Sequence, residues 1–306
     1  MKKKVLNIIG KVLLLLSVLF IINRMMTYEI DWKQIVLFPT NLVILLAILI
    51  HGGNIFFATF TYKDILKITA NQNVSQQIIT KNYCKSNLYK YLPGNVMHFI
   101  GRNQIAVDAN ISHVDVGMGT ILEMICLVIG GGIISVLCVW SYFVEYLIMI
   151  DFKINIITIS IAVLLSVLVV GILYKLRNYI KRKISKMIQN ASVSDIIKVL
   201  LKNSLRLLIN ALVFILIMYT FGLRIESLYI LKTVVGLFVL SWVVGFLTPG
   251  APGGIGVREF FMTVFLGGLF VEETLLLVLV VYRIVCILGD MISYLYAKLA
   301  VKYFIR

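Results

Sequence analysis

The sequence predicts an all-α membrane protein with about eight transmembrane helices, and three observations support this fold class. Of its 306 residues, 60% are hydrophobic and only 14% are charged, whereas a soluble domain carries about 25% charged residues. Several apolar runs approach the length of about 20 residues that a helix needs to cross a bilayer. Lysine and arginine are concentrated in a few segments between these runs, as in loops that face the cytoplasm.

Apolar runs occur along the whole chain, so we expect one integral membrane domain over residues 1–306. The first run follows three lysines and lacks a small-residue cleavage pattern, so we expect a retained helix and not a signal peptide. The seventh run is short and completes an even number of crossings. The expected spans are 5–22, 42–60, 116–140, 154–174, 205–221, 228–247, 260–271 and 274–296.

The formal net charge of +15 arises from 29 Lys and Arg residues against 14 Asp and Glu residues. In a soluble protein this charge would suggest nucleic-acid binding, but here basic cytoplasmic loops explain it. Most basic residues lie at the two termini and in residues 61–117 and 175–206, which predicts that both termini are cytoplasmic. The four cysteines are scattered and form no CxxC pair. We therefore expect neither a disulfide framework nor a metal site nor another cofactor.

Proline and glycine interrupt the chain at two places. The stronger break is TPGAPGGIGVRE at 248–259, which contains Pro249 and Pro252; the other is YLPGNVMHFIGR at 91–102, which contains Pro93. These residue types oppose a continuous helix, and broken backbone at membrane depth persists only where it is buried or lines a cavity. Both segments are therefore expected to be re-entrant or discontinuous helices at a substrate site.

The two breaks share one spacing. Each reads Pro-Gly, then seven residues, then Arg, from Pro93 to Arg102 and from Pro249 to Arg258, at an offset of 156 residues. Corresponding interruptions in two halves of a transporter point to its binding site. So few matched residues also fit a chance coincidence. Both an internal repeat of unknown symmetry and a coincidence therefore remain open.

The breaks present the groups that bind phosphate. Free backbone N–H groups near a helix start attract anions, and an arginine guanidinium matches phosphate geometry. A structural alternative is that the arginines reach toward lipid headgroups and that the glycines only permit close helix packing. The predicted substrate-binding residues of the breaks are Arg102, Arg258, Glu259, Gly94, Asn95, Gly253, Gly254 and Gly256.

Three ionisable residues, Glu123, Arg283 and Asp290, lie inside predicted spans, where such groups are costly and usually face the protein interior. Glu123 and Arg283 are candidate site residues, although a static interhelical pair would explain each equally well. Asp290 lies nearer the cytoplasmic end and is expected to touch water. The candidate partners of Glu123 are Arg102, Arg258 and Arg283.

Four pieces of sequence, taken together, match one known family. They are the break at 91–102, Glu123 about twenty residues later, the string PGxPGGxGxRE at 249–259, and Tyr282-Arg283 in the last helix. In this combination the chain resembles the transmembrane domain of lysylphosphatidylglycerol synthases and the stand-alone flippase-like proteins related to it. The resemblance covers nearly the whole chain, and its PGxPGGxGxRE string is specific.

The resemblance implies a polytopic domain of the bacterial cytoplasmic membrane. Such a domain would move a phospholipid, a glycolipid or a polyprenyl-phosphate-linked sugar between leaflets. Fused relatives carry a following cytoplasmic domain that transfers lysine to phosphatidylglycerol. The chain ends at Arg306 without such a domain, so aminoacyl transfer is not expected.

Three functions remain open. In a flippase, Glu123 and Glu259 would pair with Arg102 and Arg258 until a phosphate headgroup released them. In a non-catalytic subunit, the chain would present lipid to a glycosyltransferase or to a lysylphosphatidylglycerol synthase, with residues 175–206 as a docking surface. An enzyme is disfavoured because the sequence has no HExxH, no GxSxG and no soluble region large enough for a catalytic domain.

Overall fold

The computed structural model describes residues 40–91, 97–149, 192–248, 254 and 256–303, which are helical with short connections. A single 3₁₀ turn, Leu88–Tyr91, follows the second helix. The α-helices of these residues are α1 (Thr40–Ala70), α2 (Gln76–Asn87), α3 (Met97–Arg102), α4 (Gln104–Ala109), α5 (His113–Met149), α6 (Val193–Thr220), α7 (Leu228–Leu247), α8 (Val257–Leu266) and α9 (Glu272–Tyr303).

Five of these helices are long and apolar enough to cross a membrane, which agrees with the predicted class of helical membrane protein. Two expected spans, 5–22 and 154–174, lie outside the described residues. The expected short span 260–271 corresponds to α8, whose ten residues measure about 15 Å and cannot cross a bilayer alone. The membrane-length segments are Asn41–Ala70, His113–Phe143, Val193–Thr220, Leu228–Leu247 and Glu272–Tyr303.

The fifth expected span begins earlier than its hydropathy indicated. Helix α6 begins at Val193, where the Ser192 hydroxyl oxygen caps the helix by accepting a hydrogen bond from the Ser194 N–H at 3.1 Å. Lys202, expected in a basic loop, therefore lies on the helix and forms an ion pair with Asp64 of α1 at 2.5 Å. The helix continues past the apolar run because polar helix formers extend it beyond the hydrocarbon core.

Two buried clusters hold the helices together. The larger lies among α1 and α5–α9, and the rings of Phe214, Phe238 and Tyr282 meet at its centre with centroids 5.1–5.6 Å apart. The smaller lies among α1, α2, α4, α5 and α6 around Tyr62 and Tyr83. Because lipid tails are as apolar as leucine, close packing and interhelical hydrogen bonds stabilise these contacts more than hydrophobic burial does.

Glycines bring α5 against its neighbours. A Cβ atom on Gly130 would lie 2.4 Å from the Ser204 hydroxyl oxygen of α6, and one on Gly131 would lie 2.6 Å from a Val243 methyl of α7. Gly132 faces open space. Two of the three glycines of this run therefore permit helix contacts that any side chain would obstruct.

Described helical segments border both predicted breaks, and α3 lies within the first. The 3₁₀ turn ends at Tyr91 and α3 begins at Met97; α7 ends at Leu247 and α8 begins at Val257. The residues between them that were predicted to break the helices or to bind substrate lie outside the described residues: Pro93, Gly94, Asn95, Pro249, Pro252 and Gly253.

Candidate functional site

The first polar cluster of the bundle forms around Glu123 of α5, which is 2% exposed. Its carboxylate accepts hydrogen bonds from the Tyr83 hydroxyl at 2.6 Å and from the guanidinium groups of Arg102 and Arg206 at 2.5 and 3.1 Å. Arg102 was one of its expected partners. Arg206, on α6, was not among the expected partners, because it was counted with the basic cytoplasmic segment 175–206. Two cations share one carboxylate here, and the hydrogen bonds offset the desolvation of all three groups.

Arg102 is held on several sides. Its guanidinium carbon lies 4.2 Å from the ring centroid of Tyr83, 5.3 Å from that of Tyr62 and 5.9 Å from that of Phe99. Cation–π contact and the ion pair with Glu123 therefore act together. Arg102 is the last residue of α3, so this cluster fastens the helix that follows the first break to α2 and α5.

His98, in the same short helix, is neutral. Burial, with the nearby cations Arg102 and Lys90, lowers the pKa of this imidazole to about 3. Its Nδ1 atom is buried without a hydrogen-bond partner. At physiological pH the first break therefore takes no positive charge from His98.

The second cluster lies at the start of α8. Glu259 forms an ion pair with Arg283 of α9 and accepts a hydrogen bond from the Gly256 N–H at 2.6 Å. Arg283 also donates to the Gly254 carbonyl oxygen at 3.2 Å. Gly254 and Gly256 have φ values of +71° and +82°, a conformation that glycine adopts without steric cost. The N-terminus of α8, a favourable place for an anion, is thus occupied by the protein's own carboxylate.

Arg258 differs from the other arginines of these clusters. No carboxylate of the described residues lies within ion-pair distance of its guanidinium, because the adjacent Glu259 turns to Arg283. Its guanidinium carbon lies 5.0 Å from the ring centroid of Trp242, and its buried Nε atom has no hydrogen-bond partner. The expected pairing of Glu259 with Arg258 is therefore absent here.

Glycine backbone makes room for this side chain. A Cβ atom on Gly245 of α7 would lie 2.6 Å from Arg258 Cγ, and one on Gly254 would lie 2.6 Å from Arg258 Nε. A narrow cleft of about 10 Å³, which admits a single water molecule, opens beside it. The cleft is lined by Phe238, Ser241, Trp242, Arg258, Glu259, Met262, Leu279, Tyr282 and Arg283.

The third cluster surrounds Asp290 of α9. The expectation that Asp290 touches water is wrong, since its exposed fraction is 0%. Its carboxylate accepts hydrogen bonds from Asn87 at 2.7 Å and Lys90 at 2.5 Å, and His51 Nε2 lies 3.7 Å away. The end of α2 and the following 3₁₀ turn pack over this part of α9 and exclude solvent. Sequence reasoning missed these partners, although the polar character of residues 76–90 marked a segment that needed them.

Polar side chains connect the third cluster with the first. His51 Nδ1 lies 3.0 Å from the Asn210 side-chain oxygen, and Asn54 donates to the same oxygen at 3.0 Å. Asn54 also donates to the Arg206 carbonyl oxygen at 2.9 Å. A row of polar groups therefore extends from Asp290 through α1 to the backbone of Arg206 on α6, with 3.7 Å and no hydrogen bond between Asp290 and His51 Nε2.

The two Pro-Gly…Arg strings do not place their arginines equivalently. Arg102 is the final residue of α3, whereas Arg258 is the second residue of α8. Arg102 is paired with the carboxylate of Glu123, whereas Arg258 stacks on an indole. In the described parts of the breaks, the matched spacing is therefore not matched by local structure.

Comparisons of the chain with protein-family models, with curated proteins and with solved structures found no match. The fold and the clusters above define the class as a helical bundle of membrane type with buried charged clusters.

Proposed function

We propose that this protein moves a lipid with a phosphate-bearing headgroup between the leaflets of a membrane, as a flippase-like relative of the lysylphosphatidylglycerol synthase membrane domain. The observation that carries the proposal is Arg258, a cation inside the bundle that has no carboxylate partner among the described residues although Glu259 is its neighbour. Ionisable groups at such a depth are costly and are kept chiefly where they serve a substrate path.

The chemistry around Arg258 suits a phosphate. Its guanidinium offers a planar set of donors, and Trp242 fixes the plane without using those donors. Arg283 lies in the same cleft, so Arg258, Arg283 and Glu259 together carry one excess positive charge. A phosphodiester would balance that charge. Because the cleft is narrow, we expect α8 to move away from α7 when a headgroup enters.

Apolar side chains beside the cleft provide a surface for the lipid chains. Leu247, Phe260 and Val264 are 58%, 49% and 45% exposed, and all three lie on α7 or α8. A lipid bound with its phosphate at Arg258 can therefore keep its acyl chains in the bilayer while only the headgroup enters the protein. Because the acyl chains stay in the bilayer, the protein does not need an apolar cavity to bury them.

Arg102 has a different part in this proposal. Its guanidinium is bound to Glu123 and stacked on Tyr83, so it is less available to a substrate than Arg258. We assign to the Arg102–Glu123 pair the anchoring of the first broken segment against α5 and α6. The paired Glu259 and Arg283 then form the element that opens when a phosphate competes for Arg283.

Exchange of a labelled lipid between leaflets tests the proposal. The purified chain is reconstituted in liposomes that contain fluorescent phosphatidylglycerol, and the inner-leaflet label is followed after quenching of the outer leaflet. Arg258→Ala is expected to slow exchange by at least about tenfold, since a charged hydrogen bond is worth about 1.5–3 kcal/mol. Arg258→Lys should retain part of the rate because it keeps the charge but not the planar donor set.

The matched control is Arg224→Ala, which removes an exposed arginine from the connection between α6 and α7. Normal exchange by a folded Arg258→Ala variant would overturn the assignment of Arg258. If the wild-type chain alone moves neither phosphatidylglycerol nor a polyprenyl-phosphate sugar, the alternative of a lipid-presenting subunit that needs a partner synthase or glycosyltransferase is favoured.

A further inference from the structure

A second polar cavity lies apart from Arg258, between α2 and the pair α3–α4. Its volume is about 280 Å³, close to the lower end of small-molecule sites, which span about 300–1,000 Å³. Gly101 contributes to its wall, where the ring of Tyr89 packs against it. The lining residues are Asn82, Lys85, Ser86, Tyr89, Ile100, Gly101, Asn103, Gln104, Val107 and His113. We call this cavity the α2–α4 groove.

The floor of the α2–α4 groove is preorganised. Asn82 and Ser86 are 3% and 1% exposed. The Asn82 amide donates to the Ile78 carbonyl oxygen at 3.0 Å and to Asp108 at 2.9 Å, while Gln104 donates to Asp108 at 2.7 Å. These two hydrogen bonds lower the pKa of the Asp108 carboxyl, so it stays ionised and continues to hold both amides. The amide oxygens of Asn82 and Gln104 remain as acceptors at fixed positions.

The rim of the groove combines one cation with apolar surface. Lys85 is exposed, and no carboxylate within the described part of the chain lies at ion-pair distance from its ammonium group. Asn103, Tyr89 and His113 add further polar groups. At the opposite edge, Ile100 and Val107 are 58% and 61% exposed, which leaves an apolar strip beside a polar cavity.

We propose that the α2–α4 groove binds the headgroup of a lipid whose single phosphodiester carries a hydroxyl-rich group. Lys81 and Lys85 both act electrostatically on Asp108, so these two lysines and one carboxylate leave one excess positive charge, which a single phosphodiester would balance. The mixture of amide, hydroxyl and imidazole groups suits hydroxyls, which both donate and accept. The apolar strip at Ile100 and Val107 receives the start of the chains. The inference rests on the proposed function, because it makes this groove a headgroup site of the transported lipid next to the first break.

Binding to the full chain in phosphatidylcholine nanodiscs tests the groove. The Kd is measured for dihexanoyl-phosphatidylinositol, which carries a phosphodiester, hydroxyls and short chains. Dihexanoyl-phosphatidylmethanol keeps the phosphodiester and the chains but lacks the hydroxyl-rich group, and glycerophosphoinositol keeps the phosphodiester and the hydroxyls but lacks the chains. We expect the tightest binding for phosphatidylinositol, with each comparison compound at least about fivefold weaker, since one hydrogen bond is worth about 1 kcal/mol.

Two lysines of one helix give matched variants. Lys85→Gln is expected to weaken phosphatidylinositol binding about tenfold, because it removes the one lysine among the described residues that line the groove. Lys81→Gln removes an exposed lysine of α2 that does not line the groove but acts on Asp108 from a distance, so it is expected to weaken binding less than Lys85→Gln. Both residues are exposed, so neither change disturbs packing. Raising the salt concentration should weaken wild-type binding more than Lys85→Gln binding.

Three results would overturn the inference: an unchanged Kd for Lys85→Gln, equal affinity for phosphatidylmethanol and phosphatidylinositol, or equal affinity for glycerophosphoinositol and phosphatidylinositol. The last would assign the groove to a water-soluble phosphate ester. Failure of the proposed function would give a different result. The wild-type protein would then show no lipid exchange in liposomes, while its Lys85-dependent binding of phosphatidylinositol would persist. Exchange that is normal in Lys85→Gln, with unchanged binding, would instead reject the groove and leave the proposed function standing.

Discussion

Two glutamates of this bundle have the same chemistry and different consequences. Glu123 accepts hydrogen bonds from Tyr83, Arg102 and Arg206 and thereby joins α2, α3 and α6 to α5. Glu259 satisfies Arg283 and the first turn of its own helix, which leaves the adjacent Arg258 without a carboxylate. Glu123 therefore belongs to a structural ion pair that includes both nearby arginines, whereas Glu259 leaves one nearby arginine, Arg258, as a candidate binding group.

At the residue scale we predict that Glu123→Gln destabilises the protein by about 3 kcal/mol. The change keeps the shape of the side chain but leaves the guanidinium groups of Arg102 and Arg206 buried without a counter-charge, a situation that costs about 3–5 kcal/mol. Thermal unfolding of the purified protein in detergent measures the effect as a lower Tm.

The control for this prediction is Glu226→Gln, which neutralises an exposed glutamate in the connection between α6 and α7. It should shift the Tm little, because exposed charges contribute about 0–1 kcal/mol. Equal Tm shifts for the two variants would show that Glu123 is not a structural pair.

At the scale of the element, the glycine run of α5 sets how closely three helices approach. Gly130 faces α6, Gly131 faces α7 and Gly132 faces open space. Consecutive residues of a helix point about 100° apart, so three adjacent glycines meet three different surroundings. The run is therefore not one uniform small-residue stripe.

We predict that Gly131→Ala destabilises the bundle, whereas Gly132→Ala does not. An alanine Cβ at position 131 would lie 2.6 Å from a Val243 methyl, which forces α5 and α7 apart at a cost of about 1–3 kcal/mol. At position 132 no atom lies within 4 Å, and alanine favours the helix by up to about 1 kcal/mol. Unfolding of the two variants in parallel checks this, and equal stability of both would contradict the packing of α5 on α7.

At the scale of the whole molecule, a row of polar groups links clusters that lie far apart in sequence. Asp290 binds Lys90 directly, and His51 and Asn210 continue the row toward Arg206. The segment before the first break is thus tied to the last helix, while α1 lies between the clusters. We therefore expect that a displacement of the first break would also move α9, the helix that carries Arg283.

The orientation of the chain remains a prediction at this scale, and labelling with a membrane-impermeant maleimide tests it. The four native cysteines are first replaced, so that only the introduced thiol can react. Three of the four are buried and Cys138 is half-buried. In intact cells Glu226→Cys should be labelled, because the connection between α6 and α7 is expected outside. Lys81→Cys should be labelled only after permeabilisation. The reverse pattern would contradict cytoplasmic termini.

The sequence by itself determined the membrane class and most of the long helices. Predicted spans 42–60, 116–140, 228–247 and 274–296 lie within helices of the structure, because mean hydropathy over a helix length is a local property. It also predicted breaks at 91–102 and 248–259, since proline and glycine act on their own backbone. Residues 97–102 are helical, and the prolines of both breaks lie outside the described residues, so the breaks stay predictions. Helix ends outside the apolar core were not predictable from hydropathy, so the start of α6 at Val193 was missed.

Only the tertiary structure decided which charges meet. The sequence offered Arg102, Arg258 and Arg283 as partners of Glu123, and the fold added Arg206 to Arg102. Asp290 was expected in water and is buried under Asn87, a residue 203 positions away in sequence. Partner choice depends on distances between helices, and those distances follow from packing of small residues and rings across the whole bundle. Local sequence indicates that a buried charge needs a partner, whereas the packing of the helices determines which residue becomes that partner.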